Sequence, residues 1–176
     1  MKHPTKTILH TGQYLALIKE GHWEYVDRVN ATGAAIILAM TDDQKVLLVE
    51  QYRIPLHART IELPAGIIGD EPGGSKESQA EAARRELLEE TGYAATAMEV
   101  LTTGAASSGL TSEVVTLFKA SGLQRTGKGG GVAHEDIMVH EVPLAEVGTW
   151  LAAKARAGML VDPKIYAGLY FLKTGS

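Results

Sequence analysis

Along most of this chain apolar residues come in short runs or alternate with polar ones, but between Glu77 and Tyr93 they switch to helical spacing. Ser78 followed three residues later by Glu81 is a capping box, and Gly92 just beyond Glu90 supplies a left-handed C-cap. A helix is therefore predicted between them, with Ala80, Ala83 and Leu87 as its buried stripe. Glu86, Glu89 and Glu90 then stand at i, i+3 and i+4 and share one exposed face about one turn long. Like charges so placed repel by roughly a few tenths of a kcal/mol per pair.

The rest of the chain reads mainly as strands. Residues 6–29 predict a β-hairpin, with one strand at Tyr14–Ile18, a turn at Lys19–His22 and a second, alternating strand at Trp23–Val29. A lone hairpin is marginal in water, so it must dock on its own domain or on a partner subunit. Ala34–Met40 is a buried strand, Thr41–Gln44 a turn, and Lys45–Arg53 the partner strand. Further strands are expected at Arg59–Leu63, Glu99–Gly104, Glu113–Ala120 and Asp136–Val142, with a flexible glycine loop at Gly127–Gly131. Pro143 reads as the first position of a helix running to about Ala157. Asp162 and Pro163 open a last helix that reaches Lys173. This order predicts an α+β fold layered as an α/β/α sandwich around a mixed sheet. Residues 1–30 form a hairpin appendage and residues 31–176 the main domain.

Composition narrows the partners more than the fold. At 176 residues and 45% apolar content, one domain with a real core is the simplest organisation. A net charge of −4 without a basic stripe argues against nucleic acid. The absence of cysteine rules out disulfides, thiolate catalysis and cysteine-ligated zinc. The longest apolar run, Ala34–Met40, is too short to span a bilayer, so no membrane is expected. The amino terminus lacks the apolar core of a signal peptide, and a cytoplasmic location is the expectation.

The acidic helix face is the chemical clue. Its repulsion needs an offset, and a hard divalent cation with oxygen ligands is the natural one. Glu77, Arg85-Glu86-Leu87, Glu89-Glu90 and Gly92-Tyr93 keep the spacing of the Nudix box, so the stretch resembles that family of hydrolases. The family's upstream glycine falls here on Glu71, and Gly66 is its equivalent if the turn-forming Gly69–Ser75 stretch is a lengthened loop. Gln51-Tyr52-Arg53, Glu62-Leu63-Pro64-Ala65-Gly66, Trp23-Glu24-Tyr25-Val26 and Glu135-Asp136-Ile137 resemble the ADP-ribose and nucleotide-sugar pyrophosphatase branch. The similarity spans residue 23 to about residue 145.

Several roles follow. Carboxylates on one rigid helix can hold Mg²⁺, with Mn²⁺ as a substitute, to neutralise a pyrophosphate and activate water. Glu86 and Glu90 are the principal ligand candidates and Glu89 a further one. The resemblance adds the backbone carbonyl of Ala65. Arg85 is expected to brace the glutamates, while Glu77 is either a helix N-terminal anion or an outer ligand. A base for the attacking water must come from elsewhere. The resemblance places it at Glu135, and Glu113 remains open as base or ligand. Arg53 suits a diphosphate clamp, with Glu62 and Arg28 as further substrate contacts. Trp23 is either a base-stacking residue, which the resemblance assigns to a partner subunit's hairpin, or a core residue.

The resemblance implies a homodimeric, Mg²⁺-dependent pyrophosphatase that splits a nucleoside diphosphate sugar into a nucleoside monophosphate and a sugar phosphate. Ser107-Ser108-Gly109 departs from the Ser-Pro-Gly of ADP-ribose enzymes, which leaves other nucleotide sugars open. The alternatives are a family member acting on a dinucleoside polyphosphate or nucleoside triphosphate, and a non-catalytic nucleotide-sugar sensor.

Overall fold

The computed structural model describes residues 4–69, 77–132 and 135–174. The loop read at Gly69–Ser75 lies outside these from Asp70 onward. The elements run β1 (Lys6–Thr11), β2 (Leu15–Glu20), β3 (Trp23–Arg28), β4 (Gly33–Ala39) and β5 (Lys45–Arg53). A 3₁₀ turn (Ile54–Leu56) leads to β6 (Ala58–Glu62), β7 (Ala65–Ile68) and α1 (Gln79–Thr91). There follow β8 (Tyr93–Ala94), β9 (Ala97–Ala105), β10 (Val114–Ser121), β11 (Gln124–Arg125) and β12 (Met138–Pro143). The chain ends with α2 (Val147–Arg156), β13 (Leu160–Val161) and α3 (Lys164–Thr174).

Two four-stranded sheets form the centre, in the orders β7-β4-β10-β9 and β12-β5-β6-β13. The β4–β10 and β6–β13 pairs are parallel and the other pairs antiparallel, so both sheets are mixed. Alternation along β4 and β5 builds two cores. Ala35, Ile37 and Leu47 pack with Ala83 and Leu87 of α1 and with Phe118. Ile36, Leu38, Val46 and Leu48 pack instead with Leu151 of α2 and Ile165 of α3. Helices thus cover opposite faces, which is the expected α/β/α layering. Among the described residues, no helix is long and apolar enough to cross a membrane.

Three local expectations change. The N-terminal hairpin, β2 with β3, gains a third antiparallel strand, β1. All of β1 is exposed, so no buried face marked it in the sequence. Pro143 closes β12, where it pairs with Lys45, instead of opening a helix. That strand borders its sheet, the usual place for a strand proline. Helix α2 begins four residues later, at Val147, after Glu146 N–H donates to the Pro143 carbonyl at 2.8 Å. The glycine loop is docked rather than loose, as described below.

The N-terminal sheet rests on its own chain. Val26 N–H donates to the Leu110 carbonyl at 2.8 Å, and Ser112 N–H to the Val26 carbonyl at 3.2 Å. Ser112 Oγ bonds Asp27 Oδ1 at 2.6 Å, and Arg28 pairs with Glu113. These bonds carry β3, and with it Arg28, to the edge of the cavity described next.

Candidate active site

Helix α1 is the platform. Ser78 Oγ accepts from Glu81 N–H at 3.3 Å, and Glu81 Oε2 accepts from Ser78 N–H at 2.8 Å, so both halves of the capping box form. Gly92, at φ 75°, donates its N–H to the Leu88 carbonyl at 2.8 Å. The three carboxylates do not share an exposed face as the spacing predicted. Glu90 is buried at 4% exposure, and its Oε2 accepts from Ala65 N–H at 3.0 Å. Arg85 Nη1 donates to Glu86 at 2.9 Å and to Glu89 at 3.2 Å, and its Nε reaches Glu77 at 3.4 Å. Burial opposes the charge of Arg85, but Glu86 and Glu77 outweigh it and raise its pKa.

A cavity of about 260 Å³ opens beside this helix. Glu86, Glu90 and Glu135 line it together with Ala65, Gly66, Gln51, Arg53 and Arg28. Gln51 is a lining residue without a role among the sequence expectations, and its place two residues before Arg53, which puts both on one face of β5, is the signal that points to it. Burial, then the charges of Glu86 and Glu135, push the Glu90 carboxyl up to about 8 against the Ala65 N–H bond that lowers it.

The remaining candidates spread around this centre. Arg53 forms a two-bond fork with Glu62, Nε to Oε1 at 2.7 Å and Nη2 to Oε2 at 2.6 Å. Burial tends to raise Glu62, yet Arg53 and Thr60 hold it below the usual carboxylate value. Arg53 also borders a second cavity of about 590 Å³, which Glu62 lines with Asp162 and Lys164. Arg28 donates to Glu113, which faces a neighbouring cavity and not the one holding Glu90. Trp23 sits at the opposite end of β3 from Arg28, half exposed and edge-on to His22, so it is not a core residue.

The glycine loop explains how Glu135 arrives there. Gly130 N–H donates to the Glu90 carbonyl at 2.8 Å, Gly131 N–H to that of Glu89 at 3.0 Å, and Gly127 N–H to that of Gly92 at 3.1 Å. The loop thereby satisfies carbonyls that the end of α1 leaves orphaned. Approach this close demands glycine. At Gly129, with φ +68°, a Cβ would lie 2.4 Å from the backbone carbon of Thr91. At Gly127 it would meet only the Gly92 Cα, at 3.8 Å. Gly129→Ala is expected to cost roughly 3 kcal/mol in a urea titration, and Gly127→Ala almost nothing. Equal midpoints for the two variants would contradict the docking.

The side chains lining the cavity suit a hard divalent cation, since they offer carboxylates and neither sulfur nor imidazole. Gly66 shows how close the fit is, since a Cβ there would lie 1.8 Å from the carboxyl carbon of Glu86. Gly66→Ala should therefore displace Glu86 and raise the Mg²⁺ concentration for half-maximal effect in a thermal-shift titration at least about tenfold, the order seen when groups orienting a ligand are lost. An unchanged midpoint would detach Glu86 from cation binding. Among the described residues no three His, Asp or Glu side chains already converge as a cage. Arg85 holds Glu86 and Glu89, and the Ala65 N–H holds Glu90.

A NUDIX domain pattern matches residues 30–161. The chain is 37% identical to a methanol dehydrogenase activator of Bacillus methanolicus, across 82% of this chain and 74% of that one. It is 32% identical to a GDP-mannose pyrophosphatase of Cronobacter sakazakii (80% and 72% covered). It is also 32% identical to an ADP-ribose pyrophosphatase of Mycobacterium tuberculosis (96% and 83% covered). The crystal structure of an ADP compounds hydrolase shares the fold, with a TM-score of 0.73 over 98% of this chain and 92% of its own at 19% identity. The docked acidic helix, the layered sheets and these relatives lead to one conclusion: the chain belongs to the NUDIX family and is one of its hydrolases.

Proposed function

We propose that the chain is an Mg²⁺-dependent pyrophosphatase of nucleoside diphosphate sugars, ADP-ribose included, yielding a nucleoside monophosphate and a sugar phosphate. The observation that carries this reading is the 260 Å³ cavity, whose lining brings together three glutamates and two arginines. A diphosphate carries negative charge on both phosphoryl groups, so it needs cations around it and a base near the attacking water. Arg53 and Arg28 border the cavity and supply fixed positive charge, and Glu62 holds Arg53 in place by its two-bond fork. Glu86 and Glu90, with Glu89 and the Ala65 carbonyl, are the groups to hold the cation. When bound, the cation neutralises phosphoryl oxygens and acidifies water.

In this reading Glu135 takes the proton from water as its oxygen attacks phosphorus and the bridging P–O bond breaks. Glu113, tied to Arg28 and facing another cavity, serves to place that arginine. The second, larger cavity adjoins at Arg53 and offers room for the remainder of the substrate.

Residues 1–30 act as the dimer-forming, base-binding element and residues 31–176 as the hydrolase domain. The exposure of Ile8 and Leu9 on β1 and of Trp23 on β3 supports a homodimer through this sheet. Light scattering on the purified chain checks it, and a monomer at micromolar concentration would remove it. The activity itself is tested by chromatography of ADP-ribose and GDP-mannose digests with Mg²⁺ in isotopically labelled water. A nucleoside monophosphate and a sugar phosphate are expected, with label on the attacked phosphorus. Cleavage confined to dinucleoside polyphosphates or nucleoside triphosphates would overturn the substrate class, and binding without turnover would point to the sensor reading.

A further inference from the structure

We propose that Arg59 is a positioning residue that fixes Glu135 in the carboxylate cavity by gripping Asp136; this rests on the reading of Glu135 as the base. A buried charge lies on the far side of β5 from that cavity. Gln51 and Arg53 line the carboxylate cavity, so Glu50, between them and Val49, belongs to the opposite face of β5, where it is 2% exposed. Its carboxylate accepts from Arg59 Nε at 2.8 Å, Lys154 Nζ at 2.8 Å and His140 Nε2 at 2.9 Å. Burial would raise Glu50, but the Lys154, His140 and Arg59 bonds hold it ionised, below the ordinary value. Two permanent cations on one carboxylate leave a positive excess. Asp136 balances it.

Arg59 makes that link with the outer edge of its guanidinium. Nη1 donates to Asp136 Oδ2 at 3.0 Å, and Nη2 reaches both the Asp136 and Glu50 carbonyls at 3.4 Å. The Asp136 side chain is 82% exposed, so the pair contributes little to stability. What it restrains is geometry. Asp136 follows Glu135 directly, and a reacting group must be held to within a fraction of an ångström. The segment's other end is tied to α1 through Gly130 and Gly131. Between the two anchors, Glu135 Oε2 accepts from Val132 N–H at 2.9 Å. Strand β5 thus contributes to the cavity from both faces: Gln51 and Arg53 directly, Glu50 through Arg59.

The test measures steady-state kinetics with Mg²⁺ on the better of ADP-ribose and GDP-mannose, for Asp136→Ala and Arg59→Met, each alone and combined with Glu135→Gln. Asp136→Ala is expected to lower kcat about tenfold and Arg59→Met up to about a hundredfold, the scale of a small misplacement of a reacting group. KM should stay within about twofold in both. The thermal midpoint of Asp136→Ala should be unchanged, so this variant carries the test even where Arg59→Met folds poorly. In the Glu135→Gln background neither change should cost further rate, because a positioning residue has nothing left to position. With Glu135→Gln impaired, wild-type kcat in Asp136→Ala, or the same fold loss persisting in the double variants, would overturn the tether. Wild-type rate in Glu135→Gln alone would instead overturn the base assignment, and the tether's purpose with it.

Discussion

Glu90→Gln is expected to lower kcat/KM for a nucleoside diphosphate sugar by about a thousandfold or more, with the fold intact. The substitution keeps shape, and the amide oxygen can still accept from the Ala65 N–H that Glu90 Oε2 now holds at 3.0 Å. What it removes is one negative donor from the cavity that Glu86 and Glu135 also line. A cation at such a site supplies several kcal/mol of transition-state stabilisation, and each 1.36 kcal/mol is about tenfold in rate. Glu89→Gln should cost less. Glu89 is not among the residues lining that cavity, and Arg85 already engages it. Initial rates across an Mg²⁺ titration, beside urea midpoints, separate the chemical loss from a folding one. A fully active, normally folded Glu90→Gln protein would remove the catalytic assignment of α1.

Why α1 was readable, and parts of its surroundings were not, follows from the range of the interactions. The capping box at Ser78 and Glu81 and the C-cap at Gly92 lie within the helix's own span, so sequence spacing alone located them. The Thr41–Gln44 turn is equally local, closed by Thr41 N–H to the Lys45 carbonyl at 2.9 Å. Glycine signals were ambiguous for the opposite reason. Gly127–Gly131 has the composition of a loose linker, but its conformation is set by carbonyls of Glu89, Glu90 and Gly92, some forty residues earlier in the chain. Pro143 misled because proline suits both a helix start and an edge strand, and only pairing with Lys45 decides between them.

Charge partners were the least legible part. The type and spacing of Glu86, Glu89 and Glu90 suggested shared exposure, whereas packing against β7 buries Glu90 and sets it apart from the other two. Arg53 with Glu62, and Arg28 with Glu113, are pairs made by strand register and by docking of the N-terminal sheet. The Glu50 cluster left no motif, since its members stand on β5, β6, β12 and α2.

The burial of Glu90 has a second measurable result, in the stability of the metal-free protein. Its carboxyl, ordinarily near 4.5, is pushed up to about 8 by burial and by Glu86 and Glu135. Between these values the folded protein retains a proton that the unfolded chain has released. The folded state binds more protons there, so stability falls as pH rises. The contribution is full below pH 4.5 and lost above pH 8, roughly 5 kcal/mol at 1.36 kcal/mol per pH unit. Glu50, Glu62 and Asp27, held below their ordinary values, act in the opposite direction, and they do so on the acid side, up to the pH at which the unfolded chain's carboxyls lose their protons. Thermal midpoints of the metal-free wild type should therefore drop between pH 5 and pH 8 relative to Glu90→Gln, which lacks the titrating group. Mg²⁺ should reverse the drop, because a cation favours the ionised carboxylate, and its binding near pH 7 should release a proton detectable by calorimetry in buffers of different ionisation heat. Parallel midpoint curves for the two proteins, with no proton released on Mg²⁺ addition, would show that the cation does not act at Glu90.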